Sequence, residues 1–182
     1  MKNSKLSIQD MCMIGMFTAI IVIMAQISIP MPMGVPMTMQ TFAITLAAIV
    51  MGAKNSTIAS LIYVLLGAIG VPVFASFSGG VGIVVGATGG FIMTFPIMAL
   101  IIGLGADFYR KNKAWLIVGI LVGTVVNYIG GTLWYCFVTG NGFMAGIAGC
   151  VLPFIPTAVI KAVLAVIVGL PVRTRVVAAV CR

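Results

Sequence analysis

The sequence contains no histidine and only two acidic residues among 182. Without histidine, no serine, threonine or cysteine has the usual base that activates a nucleophile, and the imidazole ligands common at zinc sites are missing. Charged residues make up 7% of the chain, whereas ordinary soluble proteins carry about 25%. A soluble fold would therefore have almost nothing to place on its surface. These shortages argue against an enzyme and against a water-soluble domain.

Apolar residues dominate instead: they account for 62% of the chain, which also has 22 glycines and 8 prolines. Glycine and proline are both commoner in membrane helices than in soluble ones. A helix needs about 20 apolar residues to cross a bilayer, and the connectors divide the chain into six apolar stretches. We predict spans at about 11–29, 37–51, 56–70, 89–105, 114–138 and 152–172. The sequence thus predicts one all-α membrane domain, residues 1–182, with six transmembrane helices.

The basic residues lie on one side of this six-span arrangement. Nine of the ten fall on the same face: Lys2, Lys5, Lys54, Arg110, Lys111, Lys113, Arg173, Arg175 and Arg182. The positive-inside rule makes that face cytoplasmic, together with both termini. The net charge of +8 does not indicate a nucleic-acid partner, because the charges occupy short connectors rather than a basic stripe. We predict a multi-pass protein of the cell membrane that is surrounded by the lipid bilayer.

Lys161 is the tenth basic residue and lies inside the sixth predicted span. A lone ammonium at a membrane helix centre costs roughly 2.5 to 3.5 kcal/mol. Either its stem snorkels to the nearer interface, or an anionic or strongly polar ligand compensates the charge. The outer connectors, at 30–36, 71–90 and 139–151, contain no charged residue. Because irregular backbone near membrane depth must be buried or line a cavity, we expect them to cover a pocket that contains Lys161.

Other polar residues in or beside the spans are also candidates for ligand contact. Asn127 and Tyr128 lie in the fifth span, and Thr38 and Gln40 begin the second. Each needs a polar partner in an apolar setting, which is either a ligand or a neighbouring helix. Trp134 lies near the outer end of the fifth span, where an interfacial aromatic belt is the alternative to a ligand contact.

Nucleotide and metal sites are not predicted. The glycine clusters at 79–82 and 86–90 lack the Lys-Ser/Thr pair of a phosphate loop, so any ATP must be used by a partner. Their bare backbone instead allows close approach to a ligand. Four methionines, Met31, Met33, Met37 and Met39, have no His or Cys among them. We interpret them as a flexible apolar wall rather than a copper site, and we predict no cofactor.

Several short stretches rich in Gly, Pro and apolar residues follow one another along the chain. They are IPMP at 29–32, VPMTMQT at 35–41, LLGAIGVPVF at 65–74, GGVG at 79–82, GATGGF at 86–91, and PFIP at 153–156 followed by Lys161. Together they resemble the BioY family, the biotin-specific substrate-capture (S) components of energy-coupling factor (ECF) transporters. The match runs in order from about Thr18 to Val168. An ordered set of stretches is more specific than any one of them, and we expect the chain to be a member.

The resemblance implies a compact bundle of six transmembrane helices with the vitamin bound near the outer face. It also implies a transmembrane coupling subunit and two cytosolic ATPase subunits as partners, with Gly15 and Ala19 as the small residues that dock on the coupling subunit. The outer loops, Ser78 and Lys161 would surround biotin. The predicted ligand residues are Thr38, Gln40, Phe74, Ser78, Gly79, Gly80, Thr88, Phe91, Asn127, Tyr128, Trp134, Thr157 and Lys161.

One position departs from the family pattern. An acidic residue usually stands three positions before the lysine, and here that position is Ala158. The predicted function is high-affinity capture of biotin at the outer face for ATP-driven uptake by partner subunits, without catalysis by this chain. An S component for a different vitamin or a biotin precursor remains an alternative, and a small channel or scaffold is another.

Overall fold

Helices make up most of the computed structural model, which describes residues 6–31 and 34–180, with side chains to residue 176. The α-helices are α1 (Ile8–Gln26), α2 (Gln40–Ala68), α3 (Val81–Val85), α4 (Gly89–Phe108), α5 (Ala114–Thr139), α6 (Phe143–Cys150) and α7 (Ile155–Val180). Strand β1 (Ser28–Ile29) pairs antiparallel with β2 (Met37–Thr38). Short 3-10 turns cover Ala75–Phe77 and Leu152–Phe154. The stretches long and apolar enough to cross a membrane are α1, α2, α4, α5 and the α6–α7 segment.

Helix α2 reverses direction at Gly52. This residue has φ 77° and ψ −176°, well outside the helical region, and it separates arm α2a (40–51) from arm α2b (53–68). The side chain of Gln40 on the first arm donates a hydrogen bond to the Tyr63 hydroxyl on the second. A straight helix would hold these residues about 35 Å apart at 1.5 Å per residue. Because α2 thus supplies two segments, the predicted all-α bundle of six transmembrane helices is confirmed within the described residues.

Both acidic residues of the chain lie at the same end of the bundle. Asp107 accepts hydrogen bonds from the Ala53 amide at 3.0 Å and from Arg173 Nη2 at 2.9 Å. Arg173 Nη1 also donates to the Ile49 carbonyl at 2.6 Å. Asp10 accepts from Asn55 Nδ2 at 2.7 Å. The start of α1, the α2 reversal, the end of α4 and the late part of α7 therefore meet at one end, as the charge distribution predicts for the cytoplasmic face.

Helices α4 and α5 approach closely because glycines face each other at their crossing. A side chain at Gly105 would contact the Trp115 carbonyl at 2.5 Å and the Gly119 Cα at 3.0 Å. Such small residues let membrane helices pack backbone to backbone. Helix α7 packs against α2 instead. Helix α2 thus packs against both α4 and α7, while α5 packs on α4.

The outer connectors contain more regular structure than the sequence indicates. The segment predicted as a loop at 139–151 includes helix α6, and that at 71–90 includes the Ala75–Phe77 turn and α3. These elements are only three to eight residues long. Helices this short are not stable on propensity alone. Their conformation depends on contacts with the bundle beneath them, and composition does not reveal those contacts.

Candidate ligand-binding site

A cavity of about 250 Å³ lies at the end of the bundle opposite Asp10 and Asp107. Its walls come from the β1–β2 hairpin, the start of α2a, the loop before α3, and the facing sides of α4, α5, α6 and α7. The volume is close to the lower end of the range for small-molecule pockets, roughly 300–1,000 Å³. The uncharged outer connectors do cover this cavity, as their composition predicts.

Lys161 projects from α7 into this cavity. Its Nζ donates a hydrogen bond to the Thr38 carbonyl in β2 at 2.6 Å, so the ammonium turns inward to the hairpin. Among the residues described, no carboxylate lines the cavity and Lys161 is the only cation there. An ammonium carries three donors, and Thr38 accepts from one of them. The remaining donors and the positive charge are available to a ligand.

A chain of polar contacts continues from Thr38 into the core. The Thr38 hydroxyl donates to Gln40 Oε1 at 2.9 Å, and Gln40 Nε2 donates to the Tyr63 hydroxyl. Tyr63 is fully buried and does not line the cavity. Its ring meets the Phe74 ring edge to face, with centroids 5.6 Å apart. The predicted candidates Thr38, Gln40 and Phe74 are thus linked through one residue that the sequence analysis did not single out.

Asn127 and Tyr128 occupy the α5 wall of the cavity. Asn127 Nδ2 donates to the Phe91 carbonyl at 3.0 Å and to Thr94 Oγ1 at 2.8 Å, which ties α5 to α4. No donor in the described part of the chain bonds the Asn127 carbonyl oxygen. The Tyr128 hydroxyl lies 3.5 Å from the Phe154 carbonyl, a long contact for an O–H donor. The amide of Asn127 therefore joins two helices, while its carbonyl and the Tyr128 hydroxyl remain open to a ligand.

The loop that carries Phe74 and Ser78 has an unusual backbone. Ser76 and Phe77 both have positive φ, 57° and 52°, a conformation that costs non-glycine residues of the order of 1–3 kcal/mol each. The side chain of Gln26, at the end of α1, holds this loop. Its Nε2 donates to the Val73 and Phe74 carbonyls at 3.3 and 3.2 Å, and its Oε1 accepts from the Phe77 amide at 2.8 Å.

Most of the predicted ligand residues meet at this cavity. Its wall includes Thr38, Gln40, Phe74, Ser78, Thr88, Phe91, Asn127, Tyr128 and Lys161.

The other four predicted residues lie outside the wall and make structural contacts. Trp134 Nε1 donates to the Gly86 carbonyl at 3.0 Å, and Thr157 Oγ1 donates to the Phe154 carbonyl at 2.9 Å. The Gly80 amide donates to the Gly67 carbonyl at 2.7 Å. Gly79 is pressed against the backbone at Val71.

Further wall residues were not named individually as ligand candidates, although several lie in the connectors that were expected to cover the pocket. They are Gly34, Val35, Pro36, Thr41, Ala75, Ile83, Ile92, Phe95, Cys150 and Phe154. Phe95 follows Phe91 by one helical turn and was recoverable from that spacing. Cys150 lies in the 139–151 connector that was expected to cover the pocket, and Phe154 lies in the PFIP stretch, but the sequence did not mark either side chain individually.

The methionines of the hairpin contribute apolar surface next to the cavity. Met31 and Met37 pack against a buried cluster that includes Val35, Cys150 and Phe154. Met33 lies outside the described residues, as do Lys2, Lys5 and Arg182 of the predicted cytoplasmic charges.

Gly15 and Ala19 lie on an exposed face of α1. A Cβ at Gly15 would meet nothing within 4 Å. Both residues line an open apolar groove of about 650 Å³ between α1 and α2b. No helix in the described part of the chain covers this face, so α1 presents a smooth strip of small residues to its surroundings.

Comparison with known proteins agrees with this architecture. The model of the BioY family matches residues 1–178. The chain belongs to the BioY family. The probable biotin transporter BioY of Pyrococcus horikoshii is 39% identical over 163 residues, which cover 88% of this chain and 94% of that protein. The biotin transporter BioY of Thermotoga maritima is 40% identical over 159 residues, covering 87% of this chain and 92% of the relative.

A solved structure has the same fold. The crystal structure of the S-component for biotin from an ECF-type ABC transporter superposes with a TM-score of 0.81 and 27% sequence identity, over 92% of each chain. Family membership confirms the predictions of a multi-pass cell-membrane protein and of a transport protein rather than an enzyme.

Proposed function

We propose that this chain binds biotin at its outer face and delivers it for uptake as the S component of an ECF-type ABC transporter. The observation that carries the proposal is the single cation, Lys161, in an outer cavity with no acidic residue among its described wall residues. The BioY relatives are named biotin transporters. Biotin is a small amphipathic acid, and such a cavity offers one charge for its carboxylate and apolar walls for its ring system.

The ligand carboxylate is the proposed partner of Lys161. Charge-assisted hydrogen bonds of this type contribute roughly 1.5 to 3 kcal/mol. The residue one turn before the lysine is Ala158. Together with Thr41, Tyr128 and Lys161 itself, it lines a small space next to the main cavity. Since no acid stands there, the compensating negative charge comes from the ligand. The ureido ring then lies toward α5, where the Asn127 carbonyl accepts an N–H, and packs against the ring of Phe91.

Titration of the purified chain tests the ligand. Calorimetry with biotin, thiamine and riboflavin should give saturable binding for biotin alone. Saturable binding of another vitamin instead would make the chain an S component for that vitamin, and no binding of any would favour a channel or scaffold. Biotin methyl ester, which lacks the negative charge, is expected to bind at least tenfold more weakly. Equal affinity for acid and ester would assign Lys161 to the ureido carbonyl.

The exposed strip on α1 is the proposed contact with a transmembrane coupling subunit, to which two cytosolic ATPases would supply the energy. Gly15 and Ala19 leave a groove with room for an opposing helix. Small residues four apart are the usual means by which membrane helices approach one another. The core residues Phe17 and Ile21 do not line this groove, whereas the buried residues Ile14 and Thr18 do.

A further inference from the structure

We propose that Tyr63 is a positioning residue for the ligand, acting through Gln40 and Phe74 from behind the cavity wall. The inference rests on the proposed function, since it takes the cavity as the biotin site. Tyr63 itself is 0% exposed and is not part of the wall. It nevertheless contacts two side chains that are, one through a hydrogen bond and the other through its ring.

The hydroxyl of Tyr63 anchors the side-chain amide of Gln40. Gln40 Nε2 donates to Tyr63, and Gln40 Oε1 accepts from the Thr38 hydroxyl at 2.9 Å. Because both hydroxyls can donate and accept, they hold the Gln40 amide from both ends whichever way it faces. The Thr38 carbonyl also accepts from Lys161 Nζ at 2.6 Å. One chain of contacts therefore runs from Tyr63 to the ammonium that is the proposed carboxylate partner.

The ring of Tyr63 also packs against the ring of Phe74. The two rings meet edge to face at 5.6 Å with an interplanar angle of 77°, a favourable aromatic geometry. Gly67, one turn further along α2b, lies directly under the Phe74 ring, where any side chain would overlap it. Tyr63 and Gly67 thus hold Phe74 against the arm from one face. Tyr63→Phe removes the hydroxyl but keeps the ring contact with Phe74. The hydrogen bond to Gln40 and the ring contact can therefore be tested separately.

Ser60 provides a matched control for the hydroxyl. It lies one turn before Tyr63 on the same arm and is also 0% exposed. Its Oγ has no hydrogen-bond partner among the described residues, and it does not line the cavity. Replacing Ser60 by Ala removes a buried hydroxyl from the same helix without touching Gln40, Phe74 or Lys161.

The experiment measures biotin affinity of Tyr63→Phe, Ser60→Ala, Gln40→Leu and Tyr63→Phe/Gln40→Leu by calorimetry, with thermal unfolding of each ligand-free protein. Tyr63→Phe is expected to weaken biotin binding about three- to tenfold, the value of one hydrogen bond. Ser60→Ala should bind as the wild type does. In the Gln40→Leu background, Tyr63→Phe should cause no further loss, because the hydroxyl acts only through that amide.

Wild-type affinity in Tyr63→Phe would overturn the inference, and so would an equal loss caused by Tyr63→Phe in the wild-type and Gln40→Leu backgrounds. A lower unfolding temperature at unchanged affinity would make Tyr63 a core residue only, and would also overturn it. The proposed function fails separately, if the wild-type protein does not bind biotin at all.

Discussion

At the scale of single residues, Lys161 supplies the positive charge among the described wall residues of the outer cavity. Its ammonium is held by a neutral carbonyl, that of Thr38, rather than by a carboxylate. A buried charge with only neutral partners remains costly, and an anionic ligand removes that cost. The cavity therefore has an electrostatic preference for acids before any shape selection acts.

Replacing Lys161 by Met keeps much of the volume of the stem and removes the charge. We expect biotin affinity to fall about 10- to 150-fold, since the lost interaction is worth roughly 1.5 to 3 kcal/mol. Calorimetry of the purified variant measures this. Lys113→Met, an exposed lysine at the other end of the bundle, is the control and should bind normally. Unchanged affinity in Lys161→Met would remove the lysine from the site.

At the scale of secondary-structure elements, two features of irregular backbone shape the molecule. The reversal at Gly52 turns one helix into two membrane segments, and the α2 arms then bring Gln40 to Tyr63. The loop with positive φ at Ser76 and Phe77 carries Phe74 and Ser78 into the cavity wall. Each is stabilised by side chains from a different element, Asp107 in the first case and Gln26 in the second.

Gly52→Ala should destabilise the protein for two reasons. Position 52 has a positive φ that alanine rarely adopts, and its Cβ would overlap the Asp107 carboxylate. We expect the free energy of unfolding to fall by about 1–3 kcal/mol, measured by thermal or denaturant unfolding in detergent. Gly15→Ala is the control, because that site is open and helical, and there alanine should be neutral or stabilising. Equal stability of the two variants would contradict the steric account of the reversal.

Gln26→Met should loosen the loop over the cavity. Three backbone groups at 73, 74 and 77 lose their side-chain partner, and the strained conformation at Ser76 loses its support. We expect biotin to dissociate about three- to tenfold faster, as affinity changes in related complexes are mostly changes in dissociation rate. A chase of labelled biotin measures the rate. Gln9→Met, which replaces an exposed residue at the other end of α1, is the control and should leave the dissociation rate unchanged. An unchanged rate in Gln26→Met would show that the loop keeps its conformation without this side chain.

At the scale of the whole molecule, binding and docking occupy different surfaces. The cavity lies at one end of the bundle, and the ion pair of Asp107 and Arg173 lies at the other end. The strip at Gly15 and Ala19 lies along the side of the bundle. Substitutions on the strip have open space around them in the isolated chain. Capture of biotin and delivery to partner subunits are therefore separable by mutation.

Gly15→Leu is expected to abolish uptake while leaving biotin affinity of the isolated chain unchanged. A Cβ at position 15 meets nothing within 4 Å inside the chain, and the leucine side chain would extend into the groove that an opposing helix would enter. Uptake of labelled biotin in cells that also express the coupling and ATPase subunits measures the first effect, and calorimetry the second. Gly15→Ala keeps a small residue and should retain uptake. Normal uptake by Gly15→Leu would place the docking surface elsewhere.

The sequence by itself determined the membrane class, the six apolar segments and the sidedness of the bundle. Each of these depends on how composition varies along the chain, because the cost of moving a residue into lipid is largely a property of that residue. The same reasoning identified Lys161, because the free-energy cost of a lone ammonium inside an apolar span can be recognised from that residue and its neighbours in the sequence. The ordered family stretches then indicated the fold, and most of the polar residues they contain do line the cavity.

The tertiary structure alone decided which side chains meet. Tyr63 and Gln40 are 23 positions apart and Asp107 and Arg173 are 66 apart, and neither pair has a sequence signal. Trp134 and Thr157 were predicted to contact the ligand, but they bond to the backbone carbonyls of Gly86 and Phe154 and do not line the cavity. The physical reason is that these helices are apolar on almost every side, so no polar stripe marks the inward face. Helix rotation is set by glycine contacts, the Gly52 reversal and a few buried hydrogen bonds, all of which exist only once the segments have packed.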